Sequence, residues 1–184
     1  MDIKALVPIA QGTDDAEAAI IINLLRRAGI SVKVAGENQI VTCSKGIKII
    51  PDMMLYQLDD NMRFDCVVIP GGSEGVENLS TNERFCSLLA ELHANGCLIG
   101  AVCSDPLVFD SVKLLKSENR ITSHPAARKH LDTKYQYSDD DIVMDGNIVT
   151  SRGIGTTIPF ALKIIELLAG KETRDKIAES IIYR

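Results

Sequence analysis

Two side chains have the type and local placement for chemistry: Cys103 and Glu17. Cys103 ends the apolar run Cys97-Leu98-Ile99-Gly100-Ala101-Val102 and is followed by Ser104-Asp105-Pro106. The run reads as a strand buried on both faces. Asp105 and Pro106 then read as the N-cap and first residue of a helix, because Asp accepts orphan N–H bonds and Pro lacks that donor. A cysteine at such a turn faces the positive end of the helix dipole, where the thiolate is favoured over the thiol. Nucleophile elbows have this geometry, although the G-x-S-x-G pattern is absent. A strand cysteine that only packs as a small hydrophobe has the same local sequence.

Glu17 lies in the first turn of an amphipathic helix. Thr13 is the expected N-cap, with Asp14 and Asp15 suited to the turn that follows. The apolar stripe runs Ile20, Ile21, Leu24, Leu25 and Ala28, and Glu17 precedes Ile20 and Ile21 by three and four residues, so it shares their face. A carboxyl buried there has a raised pKa, which makes it a proton donor or acceptor suited to neutral pH. The alternative is a first-turn glutamate that bends out to solvent. Arg26-Arg27-Ala28-Gly29 closes the same helix, with cations in its last turn and glycine after it.

Gly71-Gly72-Ser73 follows the run Val67-Val68-Ile69 and opens a short helix over 74–80. Its glycines let backbone N–H groups approach a ligand and could form half of an oxyanion hole, although such a pair is also an ordinary turn. The G-x-G-x-x-G dinucleotide fingerprint is missing. His124, in Thr122-Ser123-His124-Pro125 just after an expected short strand, is either a base for Cys103 or part of loop packing, while His93 and His130 read as surface residues. No His/Cys/carboxylate group has metal-ligand spacing. Cys66, Cys86 and Cys97 read as core packing, and Cys43 as partly exposed or at an interface.

The elements that must position these residues alternate. Strands are expected at 3–9, 30–35, 65–69 and 97–102, and helices at 13–28, 82–95, 106–115, 156–169 and 171–181. Segment 38–50 suggests a small hairpin or edge pair, and 134–150 carries the hairpin signal Asp145-Gly146. Such alternation implies a single α/β domain over 1–184, with a largely parallel sheet covered on both faces. In open sheets of this kind ligands bind beyond the carboxyl ends of the strands. Gln11-Gly12-Thr13, Pro70-Gly71-Gly72-Ser73 and Cys103-Ser104-Asp105 all lie there.

Bulk properties narrow the function classes. The 184 residues are 46% hydrophobic and 24% charged, as in ordinary globular proteins, and the net charge of −5 gives no electrostatic reason to bind nucleic acid or an anionic membrane. No apolar stretch approaches the roughly 18 residues of a membrane span. The N-terminus lacks the n- and h-regions of a signal peptide. Five cysteines, an odd number without C-x-x-C spacing, suggest reduced thiols in the cytoplasm.

Taken jointly, the motifs resemble the ThiJ/PfpI superfamily, and within it the DJ-one (Parkinson-disease protein) branch. The resemblance runs nearly end to end and rests on Glu17, Arg26-Arg27-Ala28-Gly29, Val34-Ala35-Gly36, Cys43-Ser44, Val68-Ile69-Pro70-Gly71-Gly72, Ala101-Val102-Cys103, His124-Pro125 and Thr150-Ser151-Arg152-Gly153-x-Gly155-Thr156. It implies a flavodoxin-like three-layer α/β sandwich that forms a homodimer and needs no cofactor. It also implies roles. Cys103 matches the reactive cysteine and Glu17 the protonated glutamate that hydrogen-bonds its thiolate. Gly72 and Ser104 match the backbone positions of the oxyanion pocket, with Gly71 beside them, and His124 matches the neighbouring histidine. The implied activity is glutathione-independent conversion of small α-oxoaldehydes such as methylglyoxal to hydroxy acids, or deglycation of their adducts. The alternative is a redox sensor or chaperone acting through oxidation of Cys103. Ser104-Asp105 replaces the branch's usual small residues, and an acidic group there would disfavour the thiolate unless it turned away to cap the helix. Ile154 replaces a common proline. The protease-like branch has His directly after its nucleophile, where this chain has Ser104, so peptidase activity is not expected.

Overall fold

The central strands are apolar on both sides, so each of their faces needs a covering layer of helices. The computed structural model describes residues 2–59, 61–103 and 106–184. In chain order it forms β1 (Lys4–Ile9), α1 (Asp15–Arg27), β2 (Ser31–Gly36), β3 (Val41–Thr42), β4 (Lys48–Ile49), β5 (Met53–Met54), β6 (Cys66–Ile69), α2 (Ser73–Thr81), α3 (Glu83–Ala94) and β7 (Leu98–Val102). Then follow α4 (Pro106–Ser111), β8 (Arg120–Ile121), α5 (Pro125–Leu131), β9 (Gln136–Tyr137), β10 (Ile142–Asp145), β11 (Ile148–Ser151), α6 (Thr157–Ala169) and α7 (Lys171–Ser180).

Seven strands form one sheet in the order β10-β11-β7-β6-β1-β2-β5. Its pairs are parallel except for the expected β10–β11 hairpin, whose two loop residues are Gly146-Asn147, with Asp145 paired to Ile148. Side-chain alternation separates two cores. Leu6, Val67, Ile69, Ile99 and Ala101 pack under Leu79, Phe85, Leu89 and Phe109 on one face. Ala5, Val7, Val68 and Val102 pack under Ile21, Leu25, Phe160 and Ile164 on the other. This is the expected flavodoxin-like α/β architecture. The chain runs outward from β1 to β2 on one side and returns to β6 on the other, so β1 and β6 flank the topological switch point where such sheets bind ligands.

Local boundaries differ from expectation where side chains made the decision. Asp14, not Thr13, caps α1: its carboxylate accepts the Ala16 and Glu17 N–H groups at 3.1 and 3.0 Å. The Thr13 hydroxyl instead accepts the Ala10 N–H at 3.0 Å, which closes the β1–α1 turn on itself. Helix α4 ends at Ser111, short of 115, because Lys113 enters the left-handed region (φ 56°) and the Leu114 N–H bonds back to the Phe109 carbonyl at 2.9 Å. This closure has the pattern of a Schellman cap without its usual glycine, so no sequence signal marked it. The 38–50 segment is the small β3–β4 hairpin. The edge strand β5, strand β9 and helix α5 are additions to the expected elements, while β8 is a short strand just before Thr122-Ser123-His124, where one is expected.

Candidate active site

Three chain segments meet beyond the carboxyl ends of β1, β6 and β7. Cys103 follows β7 with φ 67°, a left-handed conformation that a cysteine keeps only where its surroundings impose it. Two backbone bonds supply that constraint. The Cys103 N–H donates to the Ser151 carbonyl at 3.1 Å, and the Cys103 carbonyl accepts the His124 N–H at 2.8 Å. The elbow is thus held from β11 and from the start of α5, and its side chain is half-buried.

Glu17 points inward from the first turn of α1 and is 1% exposed. Its Oε2 accepts the Gly71 N–H at 2.7 Å, while the Gly71 carbonyl accepts the Asp14 N–H at 2.5 Å. One residue of the β6–α2 turn therefore clamps the start of α1 through both of its backbone groups. Burial pushes the Glu17 carboxyl from 4.5 up to about 7; the Gly71 bond opposes this, and the Asp14 charge adds to it. The buried alternative is the correct one for Glu17.

Gly71 brings acid and thiol together. A Cβ built on it would collide with Glu17 Oε2 and approach Cys103 Cβ to 2.5 Å and Sγ to 3.2 Å. Both groups therefore press on one glycine, and no other residue fits between them. Gly72 has φ 109°, and a Cβ there would lie 2.6 Å from the Asp14 nitrogen. Its glycine character is set by the turn, which lets the backbone lie beside the site.

His124 caps α5, its Nδ1 accepting the Ala126 N–H at 3.2 Å, and its ring is exposed. With Nδ1 an acceptor, the neutral ring carries its proton on Nε2. Gly153 lies beside it: a Cβ on Gly153 would be 3.6 Å from His124 Cδ2 and 4.0 Å from Glu17 Oε1. The structure thus brings Cys103, Glu17, Gly71 and His124 around one point. Ser104, expected to line the oxyanion pocket, and Asp105, expected to cap α4, lie outside the described residues.

Gly153 and Thr156 belong to this site, and reading the sequence for reactive side chains passed over them. The Thr156 hydroxyl accepts the Arg152 and Gly153 N–H groups at 3.2 and 3.1 Å, and Thr157 Oγ1 donates to the Gly153 carbonyl at 3.0 Å. The signals were the motif Thr150-Ser151-Arg152-Gly153-x-Gly155-Thr156 and its position, since Arg152-Gly153 directly follows β11, the strand next to β7.

The other cysteines are poor nucleophiles. Cys43 is 4% exposed, which removes the partly exposed one of its two alternatives, and burial followed by the Asp15 and Asp14 charges pushes its thiol up to about 11. Burial raises Cys97 to about 12, and Cys66 lies well above the ordinary thiol value for the same reason. Cys86 is half-buried rather than in the core; its Sγ donates to the Ser80 carbonyl at 3.3 Å, and burial raises its pKa. His130 is exposed and pairs with Asp110 at 3.0 Å, whereas His93 is half-buried.

The sequence pattern of the DJ-1/PfpI family matches residues 3–167. The chain belongs to this family. The DJ-1/PfpI relative dj-1beta of Drosophila melanogaster is 40% identical over 185 residues, spanning 99% of this chain and 98% of its own. The crystal structure of Drosophila melanogaster DJ-1beta matches with a TM-score of 0.95 at 40% identity, covering 100% of both chains. The glutathione-independent glyoxalase DJR-1.2 of Caenorhabditis elegans is 33% identical over 173 residues, 93% of this chain and 91% of the relative. Among the described residues, no helix is long and apolar enough to cross a membrane.

Proposed function

We propose that this DJ-1/PfpI protein is a cofactor-free, glutathione-independent glyoxalase that converts methylglyoxal-like α-oxoaldehydes to α-hydroxy acids. The observation that carries this reading is the buried Glu17 carboxyl, with its pKa near 7, pressed with the Cys103 thiol against Gly71. The similarity to a glyoxalase at 33% identity supports it.

In this mechanism the Cys103 thiolate attacks the aldehyde carbon, and the carbonyl oxygen takes a proton to give a hemithioacetal. Backbone N–H groups at Gly72 and Ser104 stabilise the transient oxyanion. Glu17, as carboxylate, removes the proton from the former aldehyde carbon and returns it to the adjacent carbonyl carbon, while the hemithioacetal hydroxyl gives its proton to the second oxygen and becomes the thioester carbonyl. The product is a thioester of the hydroxy acid. Water hydrolyses it to the acid, the thiolate and one proton, which replaces the proton taken up when the hemithioacetal formed, so one aldehyde and one water give one hydroxy acid. A carboxyl that is half-protonated near neutrality suits both halves of the transfer. His124 orients the site rather than acting as the base, because its Nδ1 is engaged at the helix cap.

Two copies pair, in this reading, through the α1 face. A cavity of about 440 Å³ between α1 and the C-terminal turn is lined by Ala19, Ile20, Ile158, Ile181 and Tyr183. Sedimentation of the purified protein checks the pairing, and a monomer at micromolar concentration contradicts it.

A second reading has its own support. Cys103 is half-buried on the left-handed elbow after β7, where peroxide can reach its thiol, which favours a role as a redox sensor. Lactate formation from methylglyoxal by pure protein without glutathione separates the two. Steady turnover supports the enzyme, and its absence alongside selective Cys103 oxidation supports the sensor.

A further inference from the structure

Most glycines around the site are required by crowding. An added Cβ would lie 2.5 Å from Glu74 Cβ at Gly12, 2.5 Å from Cys103 Cβ at Gly71, 2.6 Å from the Asp14 nitrogen at Gly72 and 2.7 Å from the Thr13 nitrogen at Gly75. Gly153 is different. Its φ of 162° and ψ of −167° are extended backbone open to any residue. Among the described residues its Cβ would make only ordinary contacts, at 3.6 Å to His124 Cδ2 and 4.0 Å to Glu17 Oε1. Neither strain nor collision with a described residue explains the absence of a side chain.

That empty position has a defined neighbour. Of the two Glu17 oxygens, Oε2 is engaged by the Gly71 N–H, and Oε1 is the one that faces Gly153. A carboxyl that carries a proton between two adjacent substrate carbons needs both within reach of an oxygen, so the substituent on the second carbon must lie close by. The Gly153 backbone is also fixed in place, because the Thr156 hydroxyl accepts its N–H and the Thr157 hydroxyl donates to its carbonyl.

We propose that Gly153 is the specificity-determining residue of the site: its missing side chain leaves the space, between Glu17 Oε1 and the His124 ring, that receives the substituent on the substrate's second carbonyl carbon. The inference rests on the α-oxoaldehyde reading above. The chemical class admitted is an α-oxoaldehyde with an alkyl or aryl substituent, and a side chain at 153 narrows the class toward glyoxal, which has none.

The test compares wild type with Gly153→Ala and Gly153→Val on glyoxal, methylglyoxal and phenylglyoxal. For the variants, the ratio of kcat/KM on phenylglyoxal to kcat/KM on glyoxal falls by about tenfold or more, as expected when a pocket loses the volume of one or two methyl groups. Equal losses on all three aldehydes, or no loss on phenylglyoxal, overturn the proposal. A second measurement needs no turnover: the rate of Cys103 alkylation by iodoacetamide and by the bulkier N-phenylmaleimide. Gly153→Val slows the maleimide selectively if the proposal holds, and slows both or neither if it does not. A wild-type protein that makes no hydroxy acid removes the proposed activity, and the alkylation pair still decides whether Gly153 opens this space. If Gly153→Val melts well below wild type, Gly153→Ala carries the test, since its Cβ fits at van der Waals distance.

Discussion

The Gly71 N–H donates to Glu17 Oε2 at 2.7 Å, and this bond restrains a carboxyl that burial drives toward neutrality. The outcome, a pKa of about 7 against 4.5 in the open chain, has a consequence for stability. Between those values the folded protein keeps a proton that the unfolded chain has released, so stability falls as pH rises from 4.5 through about 7. The whole difference is at most roughly 3 kcal/mol. Glu17→Gln removes this component while its side-chain amide oxygen can still accept the Gly71 N–H. Urea unfolding at pH 5 and pH 8 is expected to show wild type losing stability relative to Glu17→Gln at the higher pH. Parallel pH dependences for the two proteins would mean that the carboxyl titrates normally.

Cys103 is expected to be the thiol that reacts at neutral pH. With its pKa pushed up to about 11, Cys43 is only about one part in ten thousand thiolate at pH 7, and the buried Cys97 is lower still. Iodoacetamide labelling at pH 7, read by peptide mass spectrometry, should modify Cys103 first. Faster labelling of Cys43 or the half-buried Cys86 would remove the elbow from the account.

Asp14 has two effects that substitutions can separate. As the α1 N-cap it holds the Ala16 and Glu17 N–H groups, so Asp14→Ala should cost about 1 kcal/mol of stability and Asp14→Asn much less. As a nearby negative charge it helps raise the Glu17 pKa, so both variants should shift the Glu17 titration toward acid. Thermal melts and the pH profile of activity check the two effects separately. A titration that moves in Asp14→Ala but not in Asp14→Asn would assign it to the helix end rather than to charge.

Gly71→Ala should damage the site more than the fold. The added methyl meets Glu17 Oε2 and the Cys103 side chain, and overpacking of this kind costs about 1–3 kcal/mol. We expect a folded protein, by circular dichroism, with its glyoxalase activity lost and its Cys103 alkylation rate altered. Unchanged activity would show that acid and thiol need not meet at this glycine.

Much of the fold was legible because the strands carry their own evidence. Runs such as Val67-Val68-Ile69 and Leu98–Val102 are apolar on both faces, which demands helices on both sides of a parallel sheet. Glu17 was legible for a related reason, as the one acidic residue sharing a face with the buried Ile21 and Leu24. Elements of two residues, such as β5 and β9, leave no periodicity to read. The choice of Asp14 over Thr13 as cap depended on the Thr13 hydroxyl finding the Ala10 N–H, a contact between turn atoms that composition does not encode. Gly153 was visible only as part of a family motif, with no role, because its contribution is an absent side chain, which acquires meaning only once Glu17 and His124 are seen beside it.

The central claim is that Cys103 forms the covalent bond and Glu17 moves the proton. The most direct measurement mixes methylglyoxal with wild type, Cys103→Ser and Glu17→Gln, then reads lactate and the intact protein mass together. Wild type should release lactate, Cys103→Ser should do nothing, and Glu17→Gln should accumulate an adduct of one methylglyoxal on Cys103 without releasing lactate. Lactate from Glu17→Gln at the wild-type rate, or from Cys103→Ser at all, would contradict the account.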